Sequence, residues 1–334
     1  MTDTLLSVEN LRLRLPIDGE DKTVLHGVGL EVRAGEAVGL VGESGSGKSL
    51  TARSVVRLLP PRARLDGDIR VDGVSVPALD DAGLRRMRAQ DIAMIFQDPR
   101  AHINPVHTIG DYLTEGLRLT RGVKRHDAER TVTGLLRQVG IEDAERRMRQ
   151  RPWQLSGGLL QRVMIAGVLA VEPRLILADE PTTALDVTTQ EEVMAILDEE
   201  RRKRDLGLLF ITHDLELAAA TCDRIAVMYA GRIVEQLPAA HLRGIAAHPY
   251  TQALLAAKPS LGERRTRLAA IPGRPLSGFE ASDDACPFAA RCPRVVERCR
   301  QERPELRSVG ESLVACHLAE ESHTPRLPKE SKNV

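Results

Sequence analysis

Residues 42–49 read Gly42-Glu43-Ser44-Gly45-Ser46-Gly47-Lys48-Ser49. The spacing of Gly42, Gly47, Lys48 and Ser49 is that of a phosphate-binding P-loop. The glycines let the backbone curl so that successive N–H groups point inward at β- and γ-phosphates. Lys48 adds a positive charge, and Ser49 offers a hydroxyl to Mg²⁺. Ala37 to Val41, just before the loop, reads as a buried strand. Lys48 to about Leu59 reads as a helix whose N-terminus adds its dipole to the site. Strand, glycine loop and helix are the context this motif needs, and they set the fold class as α/β.

At 334 residues the chain is long enough for one large α/β domain and a smaller appendage. Lys plus Arg and Asp plus Glu both number 47, so net charge gives no sign of a nucleic-acid partner, and none is expected. Met1 to Asn10 lacks the basic start and apolar run of a secretory signal. The longest apolar run, Val163 to Val171, is about half the length needed to span a bilayer. The expectation is a soluble intracellular chain that meets a membrane only through partners.

Working outward, residues 5–15 and Val24 to Val32 read as strands on either side of a turn at Pro16 to Lys22. Asp68 to Val71 reads as a short strand before an Asp72-Gly73 turn, and residues 80–90 as a short polar helix. Ile92 to Phe96 reads as a buried strand that delivers Gln97 at its carboxyl end, where ligands of open α/β sheets sit. Residues 108–172 carry helical periodicity, many Arg and Glu, and no convincing strand, so an α-helical insertion is expected there. It ends in Leu155-Ser156-Gly157-Gly158, where Ser156 caps a helix and Gly157 and Gly158 leave N–H groups free for an anion.

Arg174 to Asp179 reads as an apolar strand ending in the acids Asp179 and Glu180. Beside a P-loop this is a Walker B element, in which Asp179 holds Mg²⁺ through water and Glu180 activates the attacking water. A turn ending in Ala184-Leu185-Asp186 leads into a helix from about Thr189 to Arg204. Leu208 to Thr212 is a further buried strand that brings His213 to the γ-phosphate end.

In this order the chain holds a Walker A loop, Gln97, the Leu155–Gly158 signature, Glu180, Asp186 and His213. That set resembles the ATP-binding cassette (ABC) ATPases over roughly residues 5–235. Leu159-Leu160 before Gln161-Arg162 looks like the signature variant of the di- and oligopeptide importer ATPases. Met228 to Gly231, His248 to Leu255 and the Cys-Pro-containing tail are similar to the same subfamily.

The resemblance implies a P-loop NTPase domain over 1–235, with residues 108–172 as its α-helical subdomain and 236–334 as a small irregular extension. ATP would contact Gly42 to Leu50, Gln97, Asp179, Asp186 and His213. Ser156, Gly157 and Gly158 would meet the ATP of a second cassette, in a heterodimer or a homodimer. Catalysis falls to Glu180, His213 and Gln97, and Mg²⁺ to Ser49, Gln97 and Asp179. The implied partners are two membrane permeases and an extracytoplasmic substrate-binding protein, with the ATPase peripheral on the cytoplasmic face. The implied cargo is peptide, with nickel or another small solute as the alternative. A soluble cassette acting on DNA or ribosomes would carry a long coiled coil or two cassettes, and a regulatory cassette would lack Glu180 or His213.

ABC ATPases often stack adenine on an aromatic near the end of the first strand. Leu13 and Leu15 stand there instead, so a loosely held base is expected, with GTP competing well. The tail holds Cys286, Cys292, Cys299 and Cys316, whereas Cys222 stands apart in ordinary fold. Four thiolates satisfy Zn²⁺ or a 4Fe–4S cluster, and free buried thiols are the third reading. Gaps of five, six and sixteen residues lack the close ligand pairs of structural zinc. The family resembled carries a 4Fe–4S cluster in this region. Beyond Leu318 the Pro-, Glu- and Lys-rich end reads as disordered.

Overall fold

A computed structural model describes residues 3–182, 185–257 and 271–322. The chain opens with β1 (Thr4–Ile17) and β2 (Glu20–Arg33), an antiparallel hairpin closed by Asp18 and Gly19, both at positive φ. The strands therefore run further into the expected turn than the sequence reading allows. β3 (Ala37–Val41) leads through the P-loop into α1 (Lys48–Val55). This helix stops four residues short of Leu59. Arg57 turns left-handed (φ 51°), while Arg57 N–H and Leu58 N–H bond back to Ser54 and Arg53. β4 (Arg64–Val71), β5 (Val74–Ser75), α2 (Asp81–Gln90) and β6 (Ile92–Ile95) follow.

Helices occupy the next stretch, and no strand is found among residues 108–172: α3 (Pro99–His102), α4 (Ile109–Arg121), α5 (Arg125–Gln138), α6 (Ala144–Met148) and α7 (Gly157–Ala170). The chain then re-enters the sheet with β7 (Leu175–Asp179), α8 (Val187–Arg204), β8 (Gly207–Thr212), α9 (Leu215–Thr221) and β9 (Arg224–Tyr229). Ala184, of the loop read before α8, lies outside the described residues.

Two sheets result. β2-β1-β4-β5 is antiparallel, and the larger sheet runs β11 (Arg307–Val309), β12 (Ser312–Val314), β10 (Arg232–Pro238), then β9-β3-β8-β7-β6. Its parallel centre joins β9, β3, β8, β7 and β6. These strands are buried on both faces, which is why they read as unbroken apolar runs. One face packs on α4, α5 and α7 through Leu113, Val132 and Ile165, and the other on the small sheet through Leu11, Leu25 and Leu40.

The boundary expected at residue 235 falls inside β10 (Arg232–Pro238). Beyond it, α10 (Leu242–Ile245), α11 (Pro249–Ala257) and α12 (Glu297–Gln301) are short, as is the hairpin of β11 (Arg307–Val309) and β12 (Ser312–Val314). β12 pairs antiparallel with β10, so the extension continues the main sheet. Ala319–Ser322 forms a last turn of helix, α13, where the sequence reads as disordered. Among the described residues no helix is long and apolar enough to cross a membrane.

Candidate active site

Four neighbouring strands end at one place. β3 delivers the P-loop, β6 delivers Gln97, β7 delivers Asp179 and Glu180, and β8 delivers His213. Gly47 caps α1 at φ 107° with no side-chain hydrogen bond, which leaves the helix N–H groups to a phosphate. Lys48 is buried and donates from Nζ to the carbonyls of Gly42 (2.7 Å) and Glu43 (2.9 Å). Burial lowers its pKa, and Glu180, Asp179 and Glu43 oppose that shift.

The Ser49 hydroxyl donates to Asp179 Oδ1 at 2.8 Å, so the two oxygens expected to hold Mg²⁺ adjoin. Burial raises the Asp179 pKa against that hydrogen bond. Gln97 Nε2 donates to Glu180 Oε2 at 3.1 Å, and His213 Nδ1 lies 3.4 Å from Glu180 Oε1. Glu180 itself sits at φ 46°, a left-handed conformation disfavoured for this residue. Such strain collects at functional sites when the surroundings hold it. Here the Glu180 N–H bonds to the Ile211 carbonyl of β8 at 3.0 Å.

A cavity of about 380 Å³ opens here, lined by Ser44, Lys48, Ser49, Gln97 and Glu180 among others, though not by Asp179 or His213. Ser156, Gly157, Gly158 and Asp186 do not line it. Ser156 is exposed and caps α7 by accepting the Leu159 N–H at 3.3 Å. Asp186 caps α8 in the same way, and that hydrogen bond from Thr189 lowers its pKa.

The sequence reading missed what the extension brings. Arg291 donates to both carboxylate oxygens of the P-loop residue Glu43, at 2.6 and 3.0 Å. The bidentate pair offsets a negative charge beside the phosphate loop. Tyr250 accepts the Glu43 N–H at 2.9 Å, and packs with Tyr229 and Phe288 at ring separations of 4.7 and 5.3 Å. Ser277, Gly278 and Phe279 line the cavity directly. Apart from scattered aromatics in an aromatic-poor chain, no sequence pattern signals these contacts.

Cys286, Cys292, Cys299 and Cys316 carry no disulfide and line one cavity in the extension, beside His248 and Phe288. Burial pushes the Cys286 thiol up to about 12 and raises those of Cys292 and Cys316. Among the described residues no group of three or more His, Cys, Asp or Glu is placed to hold a single metal ion, so the expected metal centre is not preassembled. Cys222 lies elsewhere, buried under β3 next to Gly39.

The family model for ABC transporters matches residues 25–183, and that for the oligopeptide/dipeptide transporter C-terminal region matches residues 234–299. A putative peptide import ATP-binding protein of Brucella ovis is 42% identical over 320 residues, covering 92% of this chain and 94% of that protein. The chain belongs to the ABC transporter family. As an ABC ATPase it is also similar to the oligopeptide transport ATP-binding protein OppD of Mycobacterium tuberculosis, 41% identical over 96% of this chain and 53% of that one. The dimeric structure of the ATP-binding cassette MJ0796 with ADP and Pi matches with a TM-score of 0.64 at 30% identity, over 70% of this chain and 98% of that one. ATP and Mg²⁺ fit the cavity of such an ABC ATPase.

Proposed function

We propose that this chain is the ATP-hydrolysing subunit of an importer of di- and oligopeptides, peripheral on the cytoplasmic face of the membrane. The observation that carries the reading is the joining of a cleft lined by Lys48, Ser49, Gln97 and Glu180 to an extension of the oligopeptide-transporter type. Lys48 and the loop N–H groups hold the phosphates, and Ser49 with Asp179 holds Mg²⁺. Glu180 orients and deprotonates the attacking water, while Gln97 and His213 fix its carboxylate from either side.

Ser156, exposed, and the half-buried Gly157 and Gly158 lie outside the chain's own cavity and would close on the ATP of a second cassette, identical or different. Loss of the γ-phosphate then removes those contacts and releases the pair. A groove of about 390 Å³ lined by Leu58, Arg88, Phe96, Tyr112, Glu115 and Val171 adjoins the Gln97 strand and suits docking of a permease. Two permeases and an extracytoplasmic binding protein complete the assembly.

The four thiols of the extension fit a 4Fe–4S cluster held by Cys286, Cys292, Cys299 and Cys316. All four line one cavity of the extension, and four thiolates are the ligand set such a cluster takes. Such a cluster would staple the extension, whose short elements leave little core of their own.

The test of the transport reading is uptake. Cells lacking this chain should lose uptake of a labelled tripeptide and regain it from a plasmid copy. Retained peptide uptake with loss of labelled nickel uptake would assign the chain to nickel import instead.

A further inference from the structure

The nucleotide cavity has a mouth as well as a floor. Its outer part is lined by Leu15, Ile17 and Val24 of the first hairpin and, facing the same space, by Phe279 from the extension. Phe279 is 49% exposed, in a chain with eight aromatic residues in all: four Phe, three Tyr and one Trp. A half-exposed phenyl ring at the mouth of a cleft leaves apolar surface in water that a flat ligand would cover.

The backbone around Phe279 is also held in place. Gly278 lies so close to β2 that a Cβ there would collide with the Val24 carbonyl. The Gly278 carbonyl is 2.8 Å from His26 Nε2, and His26 Nδ1 is 3.1 Å from Asp283. On the other side, Ser277 and Glu280 form a reciprocal capping box, and Arg274 pairs with Glu280 at 2.9 Å. Gly278 is thus tied to β2, and the turn around Phe279 is braced by Ser277, Glu280 and Arg274, while the phenyl ring stays half exposed.

We propose that Phe279 is the platform on which the purine of the bound nucleotide stacks, with Leu15 and Ile17 as the aliphatic wall of the same subsite. The extension supplies the ring that the first strand lacks. The inference rests on the cavity being the ATP site and adds the residue that holds the base. Stacking accepts any base, so Phe279 adds affinity without choosing between adenine and guanine.

The test is calorimetric titration of the full chain with Mg-ATP, Mg-GTP and magnesium tripolyphosphate, which has no base. F279A should weaken ATP and GTP alike by roughly tenfold, the scale of one lost stack, and leave tripolyphosphate unchanged. F279W should restore both nucleotides. Unchanged ATP affinity in F279A overturns the proposal, including the case in which only self-association falls. Equal weakening of ATP and tripolyphosphate overturns it too, because the effect would then lie in the phosphate loop. K48A should weaken all three ligands. If it weakens none, the ATP reading of the cavity fails and the stacking proposal with it.

Discussion

The floor of the nucleotide cleft is built from the carboxyl ends of four adjacent strands, whereas one side of its mouth comes from Ser277, Gly278 and Phe279, more than two hundred positions after the P-loop. On the floor, each functional side chain is placed by the strand that precedes it. Phe279 at the mouth, and Tyr250 and Arg291 on the P-loop residue Glu43, arrive on separate pieces of the extension and are placed by what they touch. A strand end fixes geometry locally and tolerates change elsewhere. A borrowed wall holds only while the whole extension stays docked, so it couples the tail to the nucleotide.

Substitutions that touch only one of the two regions test this contrast most strongly. On the floor, Glu180→Gln should keep ATP binding and lower turnover by at least about 10²-fold, the scale of a lost general base. Steady-state hydrolysis near the wild-type rate would remove Glu180 from that role. Within the extension, anaerobically purified protein should be brown and carry about four irons per chain. Cys292→Ser should lose that iron and loosen the tail, and Cys222→Ser should keep both. One zinc per chain with no iron would hand the four thiols to zinc.

Where the two regions meet, effects should be smaller. Arg291→Ala leaves the Glu43 carboxylate unpaired beside the phosphates and should weaken ATP by about tenfold in a titration. Adding Glu43→Gln should recover most of that loss, and no recovery would show that Arg291 acts some other way. The smallest effect is expected from Glu280→Ala, which removes the capping box beside Phe279. ATP affinity should fall by less than about threefold, and a larger loss would mean that the turn is propped by Glu280 more than by β2.

The floor was legible in the sequence because each of its groups follows an apolar run that can only be a buried strand. Gln97 after Ile92–Ile95 and His213 after Gly207–Thr212 are placed by that rule alone. The mouth was not legible. Phe279 and Arg291 sit in a segment without period, and their partners are decided by long-range packing. The end of α1 was hidden for a different reason. Arg57 adopts a left-handed conformation that a glycine would have announced, so the helix reads as continuing to the prolines at 60 and 61. The four cysteines show as a group by spacing, but their convergence on one cavity depends on the β11–β12 hairpin folding back onto β10.

That hairpin has a consequence for the sheet itself. β10 pairs on one side with β9, and its other side is open until Val314 and Leu313 arrive opposite Glu235 and Gln236. An unpaired strand edge recruits other chains. The outermost strand after docking is β11, only three residues long and beginning with the exposed Arg307 and Ser308. A chain shortened before residue 312 would exchange that short, polar rim for the seven-residue edge of β10, and aggregation would be the predicted fault before any loss of chemistry.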